Sequence, residues 1–243
     1  MDTSLTQVSA ENAFAERLPL IAEVVGPAGA GKTTLVLALS QRNERIRTVF
    51  SLRRVRYIPS FVGHAFSLLP TFLRQSRNGS GFTWQEIRLM THLEAMQHAF
   101  GRTAPNYRGV TILDQGPVYM LARLHSFGFG NVRGRSLAQW WSDLLDRWAA
   151  NLDMLIWLDA SDMTLVDRIH ARGKWHSVKE KPEQEALQFL AGFRASCEQI
   201  IARLTAHGGP RVLYFNTDRE APDQIVAEIL AEFDSKRVWG RRA

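Results

Sequence analysis

Short apolar runs alternate with longer stretches of helical periodicity along most of this chain. Leu20 to Val25, Thr48 to Leu52, Gly109 to Asp114, Met154 to Asp159 and Arg211 to Phe215 are each five or six residues long and rich in Val, Ile, Leu and Phe. Such runs read as strands. Between them, apolar residues recur every three or four positions. Helices are predicted over Thr34 to Ser40, Trp84 to Phe100, Leu137 to Ala150, Met163 to Ala171, Leu187 to Ala206 and Pro222 to Phe233, with another beginning near Val118. Thr83 and Glu86 have the spacing of a capping box at the start of the second of these helices, and Ser161 or Asp162 would cap the fourth. Ile87, Met90, Leu93, Met96 and Phe100 form one helical stripe, which reads as core. Trp140, Trp141, Leu144, Leu145 and Trp148 form another, belonging to the core or to a subunit interface in a homodimer.

Strands alternating with helices specify a parallel sheet covered on both faces, an α/β fold in three layers with five strands. Ligands of such sheets bind beyond the carboxyl ends of the strands. Lys32, Arg53, Asp114, Asp159 and Asn216 all fall at or just past those ends. Phe61 to Arg74, broken by Gly63, His64 and Pro70, reads as one or two short helices over a cleft. Asn78 to Gly81 and Phe127 to Asn131 read as loops. Residues 1–17 and about 235–243 read as flexible ends. No linker rich in Pro, Gly or Ser divides the chain, so one domain is expected over its 243 residues.

Composition narrows the class. At 45% hydrophobic the chain can bury a sizeable core, yet no apolar run approaches the length that spans a bilayer. The N-terminal residues lack the basic and apolar regions of a secretory signal. Cys197 is the single cysteine, so no internal disulfide forms, which fits a reducing cytoplasm. The net charge of +6 suggests anionic partners; phosphates suffice, and neither nucleic acid nor membrane is required. The basic tail from Lys236 to Arg242 reads as solvated.

The most specific signal is Gly26-Pro27-Ala28-Gly29-Ala30-Gly31-Lys32-Thr33, followed by Thr34. It matches G-x-x-x-x-G-K-[ST] in full and lies between a predicted strand and a predicted helix. The glycines let several backbone N–H groups converge on one anion, and the helix N-terminus adds partial positive charge. Lys32 would reach the β- and γ-phosphates of a nucleotide, and the Thr33 hydroxyl would hold Mg²⁺. Asp114 ends a β-rich run, where its carboxylate would orient the metal, its water or an attacking hydroxyl. Arg53, Arg54 and Arg56 follow the second strand, where they would bind an anionic substrate or lie solvated. Asp167 to Pro182 is a second basic stretch. Arg168 and Arg172 share a helix face, and a glycine break and further cations follow. A lid over about 172–183 would neutralise phosphate charge and exclude water.

Taken together, GPAGAGKTT, ILDQGP, LIWLDAS, DRIHARGKWHSVK and YFNT resemble in order and layout the thymidylate kinase family, and more broadly the P-loop nucleoside and nucleotide kinases. The resemblance spans about residues 20 to 233. It implies a P-loop NTPase fold with a small lid, ATP and Mg²⁺ as cofactors, and phosphoryl transfer to a small acceptor. It gives Lys32 and Thr33 their donor roles, places Asp114 near acceptor or metal, and assigns Arg168 and Arg172 to the transferring phosphates. Asn216 and Thr217 fall at its adenine-contacting loop. Family members usually carry Arg after the strand-end acid; here that residue is Gln115. Arg88 or His92 would stand in for an acceptor-binding arginine on the helix from Trp84. The acceptor, a nucleotide, a nucleoside or another small molecule, is left open. An ATPase or nucleotide switch without an acceptor, and a polynucleotide end kinase, are the competing functions.

Overall fold

The computed structural model describes residues 20–50, 83–103, 109–126, 135–173, 176 and 178–239. Five parallel strands form one sheet: β1 (Leu20–Val25), β2 (Ile46–Phe50), β3 (Val110–Asp114), β4 (Met154–Asp159) and β5 (Arg211–Asn216). Their order is β2-β3-β1-β4-β5, which puts β1 at the centre with β3 and β4 as its neighbours. Seven helices are seen among the described residues: α1 (Lys32–Arg42), α2 (Trp84–Thr103), α3 (Pro117–Ser126), α4 (Arg135–Asn151), α5 (Asp162–Ala171), α6 (Glu183–Thr205) and α7 (Pro222–Trp239).

Alternation along β1 divides the core in two. Leu20, Ala22 and Val24 face a cluster with Val36 and Leu39 of α1, Leu165 of α5, and Ile229 and Phe233 of α7. Ile21 and Val25 face the other cluster, with Met90 and Leu93 of α2, Leu121 of α3, Trp148 of α4 and Ile200 of α6. The three central strands β1, β3 and β4 are thus buried on both sides, as a parallel sheet between helical layers requires, while the edge strand β5 is partly exposed. Trp148 is fully buried, so at that position the tryptophan-rich stripe is core. No helix among the described residues is long and apolar enough to cross a membrane.

The capping box at α2 forms as its spacing predicts: the Glu86 amide donates to Thr83 Oγ1 at 3.3 Å and the Thr83 amide to Glu86 Oε2 at 2.6 Å. Ser161, not Asp162, caps α5 by accepting from the Thr164 amide. Strand β2 begins two residues earlier than its apolar run. A turn at Asn43, whose carbonyl accepts from the Ile46 amide at 2.9 Å, starts the strand there, and Ile46 pairs with Val110. Helix α6 begins at Glu183, with Pro182 at its N-cap and Glu183 and Glu185 in its first turn, where negative charge suits the helix dipole. Helix α7 continues past Phe233 to Trp239, taking in residues the sequence pattern gives to a flexible tail. Arg53, Arg54, Arg56, the segments 1–17, 61–74, 78–81 and 127–131, and Lys174, Trp175 and Ser177 of the lid stretch lie outside the described residues.

Candidate nucleotide site

Strand β1 ends at Val25 and the glycine loop turns directly into α1. Gly26, Gly29 and Gly31 have φ of 148°, 90° and 90°. A Cβ on Gly26 would sit 2.0 Å from the Leu158 carbonyl oxygen, and one on Gly29 would sit 2.8 Å from that of Leu165. The loop therefore lies against the end of β4 and against α5, a packing only glycine permits. Pro27, Ala28 and Ala30 complete the turn, with the Ala30 amide 3.4 Å from the Pro27 carbonyl. Gly31 caps α1 without a side chain, so the first amides of α1 remain free to meet an anion. Thr34 is exposed in that first turn.

Lys32 lies over the loop. Its Nζ donates to the carbonyls of Gly26 at 2.8 Å and Pro27 at 2.7 Å. Burial pushes its ammonium down to about 8; Asp114 opposes that and Arg172 adds to it. Beside it the Thr33 hydroxyl donates to Asp114 Oδ2 at 2.9 Å. The other carboxylate oxygen, Asp114 Oδ1, is buried with no hydrogen-bond partner among the described residues. A buried, unpaired carboxylate oxygen beside a hydroxyl is a donor set that fits Mg²⁺, which prefers hard oxygens and usually takes only one or two from the protein. No cluster of three or more His, Cys, Asp or Glu side chains that could hold a metal ion is found among the described residues.

On the far side of the loop, a cavity of about 410 Å³ opens between α1, α5 and the turn after β5. Leu35, Ala38, Pro222, Ile225 and Val226 give it apolar walls, while Arg168, Thr217 and Glu220 add polar groups. Arg168 bridges the cavity edge: its Nη1 donates to Thr217 Oγ1 at 2.8 Å and its Nη2 to the Thr217 carbonyl at 3.2 Å, with Asp218 at 3.8 Å. Thr217 is itself held by β4, its amide donating to the Asp159 carbonyl at 2.8 Å. Asn216 turns the chain through its Oδ1, which accepts from the Asp218 amide at 2.9 Å. Arg172 is exposed at the end of α5, where its charge reaches both Lys32 and His176. His176 is held below its ordinary range by burial first, then by Arg172, Lys32 and Arg123.

The glycine loop, Lys32, Thr33, Asp114, Arg168, Arg172 and Thr217 are thus brought to one end of the sheet. Gln115 stands there too, exposed, in a left-handed conformation with φ of 59°. Arg88 does not join them through any contact seen here; it is exposed on α2, and its carbonyl lies 3.1 Å from Nδ1 of His92. Two polar groups that the sequence reading passed over also frame the site. Arg194 of α6 holds Asp159 through Nε at 2.9 Å and Nη2 at 3.0 Å and reaches Asp162 through Nη1. Glu23 of β1 is fully buried, with Oε2 accepting from the Val118 amide at 2.8 Å and Oε1 from the Tyr119 amide at 3.0 Å. Burial pushes its carboxyl up to about 8 against the pull of those amides, and Asp114 adds to the rise. A lone acid inside Leu20 to Val25 was the available signal for it.

The same arrangement of strands and helices occurs in deoxyadenosine kinase from M. mycoides. The structure of that enzyme with the products dCMP and dCDP bound aligns over 89% of this chain and 100% of its own, with a TM-score of 0.54 and 16% identity. The likeness is one of fold. The same enzyme with dATP bound aligns over 88% of this chain and 98% of its own, at a TM-score of 0.49 and 15% identity. No protein-family model and no curated protein matches the chain in sequence. The five-stranded parallel α/β fold expected of a P-loop kinase is therefore present, while the narrower likeness to thymidylate kinase has no support from these comparisons.

Proposed function

We propose that this protein is a nucleoside kinase, transferring the γ-phosphoryl group of ATP to a hydroxyl of a nucleoside with release of ADP and a proton. The observation that carries the reading is the pairing of Thr33 with Asp114, one of whose oxygens is left unpartnered, beside Lys32 in the glycine loop. Lys32 binds the donor phosphates once it leaves the Gly26 and Pro27 carbonyls. Thr33 and Asp114 would hold Mg²⁺, which would supply charge neutralisation at the β- and γ-oxygens. The transition state is loose and asks mainly for positioning and positive charge, which Lys32 and Arg172 would supply. The apolar cavity beyond Arg168 takes the donor base, with Asn216 and Thr217 forming its rim. Residues of about 172–183 act as the lid, within one catalytic domain.

A nucleoside, rather than a nucleoside monophosphate, is favoured as acceptor by the residue after Asp114. Gln115 is neutral and exposed at the strand end, so it offers an amide where a phosphate would call for a cation. Arg53 and Arg88 remain candidates for contacting the acceptor. The M. mycoides enzyme of the same fold is a deoxyadenosine kinase, which agrees with this choice. The test is transfer of labelled γ-phosphate from Mg-ATP to a panel of nucleosides, nucleoside monophosphates and 5′-hydroxyl oligonucleotides, with Lys32→Ala as the blank. Labelling of nucleosides that is lost in the variant supports the reading. Labelling confined to monophosphates or oligonucleotides, or ATP hydrolysis indifferent to every acceptor, refutes it.

A further inference from the structure

We propose that Glu23 is a positioning residue: by capping α3 from the neighbouring strand it fixes the strand end that carries Asp114 and Gln115. The inference takes the meaning of those two residues from the kinase reading, but the contact itself is independent of it. Gly116 sits just before α3 at its N-cap, and its carbonyl accepts the first helical bond from the Met120 amide at 3.1 Å. A Ser, Thr, Asp or Asn at that place would accept the free amides of the first turn; glycine has nothing to offer them. Pro117 has no amide to satisfy. Val118 and Tyr119 do, and their partners come from Glu23, far away in sequence, one oxygen each.

The packing around this contact is specific. Glu23 shares its face of β1 with Ile21 and Val25, both of which lie in the apolar core. It is fully buried there. A Cβ on Gly116 would lie 2.8 Å from Glu23 Cδ and 2.9 Å from Leu113 Cβ, so the absence of a side chain at 116 is what admits the carboxylate. A carboxyl group inside an apolar layer costs stability that an aliphatic residue there would not. What it adds is geometry. Asp114 is held on one side by its register with Val24 of β1. Only Gln115 and Gly116 separate it from the capped turn, and Gln115 takes a left-handed conformation that a non-glycine residue adopts at a cost. With both ends of this short connection tied to β1, through Val24 and through Glu23, the Asp114 carboxylate is held against the Thr33 hydroxyl. Loss of the cap frees one end, and Asp114 Oδ1 then no longer has a fixed direction.

The experiment, run above pH 8 where the Glu23 carboxyl is ionised, compares wild type with Glu23→Gln, whose amide accepts from one backbone N–H but presents its own NH₂ to the other. Glu23→Met, isosteric and apolar, is the second variant should the first fold poorly. Three readouts are taken on protein whose ATP-binding stoichiometry has been measured. The expected result is a kcat per binding site lowered at least roughly tenfold with the KM for ATP within about threefold. The Mg²⁺ concentration giving half-maximal ATP binding should rise by about fivefold or more, the direction expected when one protein oxygen loses its place. Amide exchange at Val118 and Tyr119 should accelerate. A merely structural role would lower the number of competent sites and leave kcat per site and the Mg²⁺ midpoint where they were. That outcome overturns the proposal, as does unchanged exchange at the two amides. If the wild type phosphorylates no nucleoside, the kinase reading fails by itself; the Mg²⁺ midpoint and amide exchange still decide the role of Glu23.

Discussion

Lys32 makes a quantitative prediction about the pH dependence of ATP binding. In the free protein burial holds its ammonium down to about 8, against an ordinary 10.5, with Arg172 adding to the depression and Asp114 opposing it. Triphosphate oxygens stabilise the charged form, so bound ATP restores the higher value. At pH 7 the lysine is protonated with or without ATP, and binding takes up no proton there. Between pH 8 and 10.5 the free site has lost its proton and the bound site keeps it. Affinity must then fall as pH rises. A shift of 10.5 − 8 = 2.5 units corresponds to at most about 3.4 kcal/mol. Lys32 is only half-buried, and solvent screening trims this to about 2 kcal/mol, or roughly a 30-fold weaker Kd at pH 10 than at pH 7. Calorimetric titrations in two buffers of different ionisation enthalpy, near pH 9, should show uptake of about one proton per ATP. Lys32→Met should bind weakly at every pH and lose this slope. A wild-type Kd that moves less than about threefold across this range, or a slope that survives in Lys32→Met, would refute the reasoning. The free protein carries the mirror image: between pH 8 and 10.5 the unfolded chain holds more protons, so this group's contribution to stability grows with rising pH.

Glu23 gives the opposite slope in a lower window. Its folded value is raised from 4.5 to about 8, so between those values the folded protein holds the extra proton and stability falls as pH rises; urea unfolding of Glu23→Gln should lack that decline. Thr33→Val removes the hydroxyl that donates to Asp114 Oδ2 at 2.9 Å and should raise the Mg²⁺ requirement for ATP binding about tenfold while leaving the melting temperature within a few degrees. Gly26→Ala places a methyl 2.0 Å from the Leu158 carbonyl oxygen and should cost about 3 kcal/mol or more, with soluble expression as the first readout and nucleotide binding as the second. Arg194→Ala strands Asp159 and Asp162 at the start of α5. With a side chain 18% exposed in place of a fully dry one, the loss expected in denaturant melts is about 2 kcal/mol, and ATP affinity should fall with it, since Thr217 and Arg168 are hung from the same turn.

The strands were legible because a parallel sheet buries both faces and writes itself as unbroken apolar runs: β1 and β4 match their runs residue for residue. Strand β2 was displaced because its start depends on the Asn43 turn and on pairing with β3, neither of which periodicity registers. The glycine loop was legible because its form is confined to a few consecutive residues whose spacing is fixed by backbone geometry. Arg194 was not, because it acts from the middle of a long amphipathic helix, where an arginine is unremarkable until α6 is laid beside β4. Glu23 was hidden by the opposite habit: one acid in an apolar strand was averaged into the run. Arg88 is exposed on α2, and the fold alone does not set which residue of that helix would meet an acceptor.

The cavity beside the glycine loop is walled by segments far apart in sequence. Gly29, Ala30, Gly31 and Thr34 follow β1, whereas Thr217, Pro222 and Ile225 follow β5. A chain emerging from the ribosome therefore makes the glycine loop well before the opposite wall of the cavity. Until β5 pairs with β4 and α7 lies against α1, the nascent polypeptide has half a site, and nucleotide cannot act as a folding template for what precedes it. On the kinase reading, ATP should stabilise the protein only once β5 and α7 are in place, and truncation before β5 should abolish that rescue altogether.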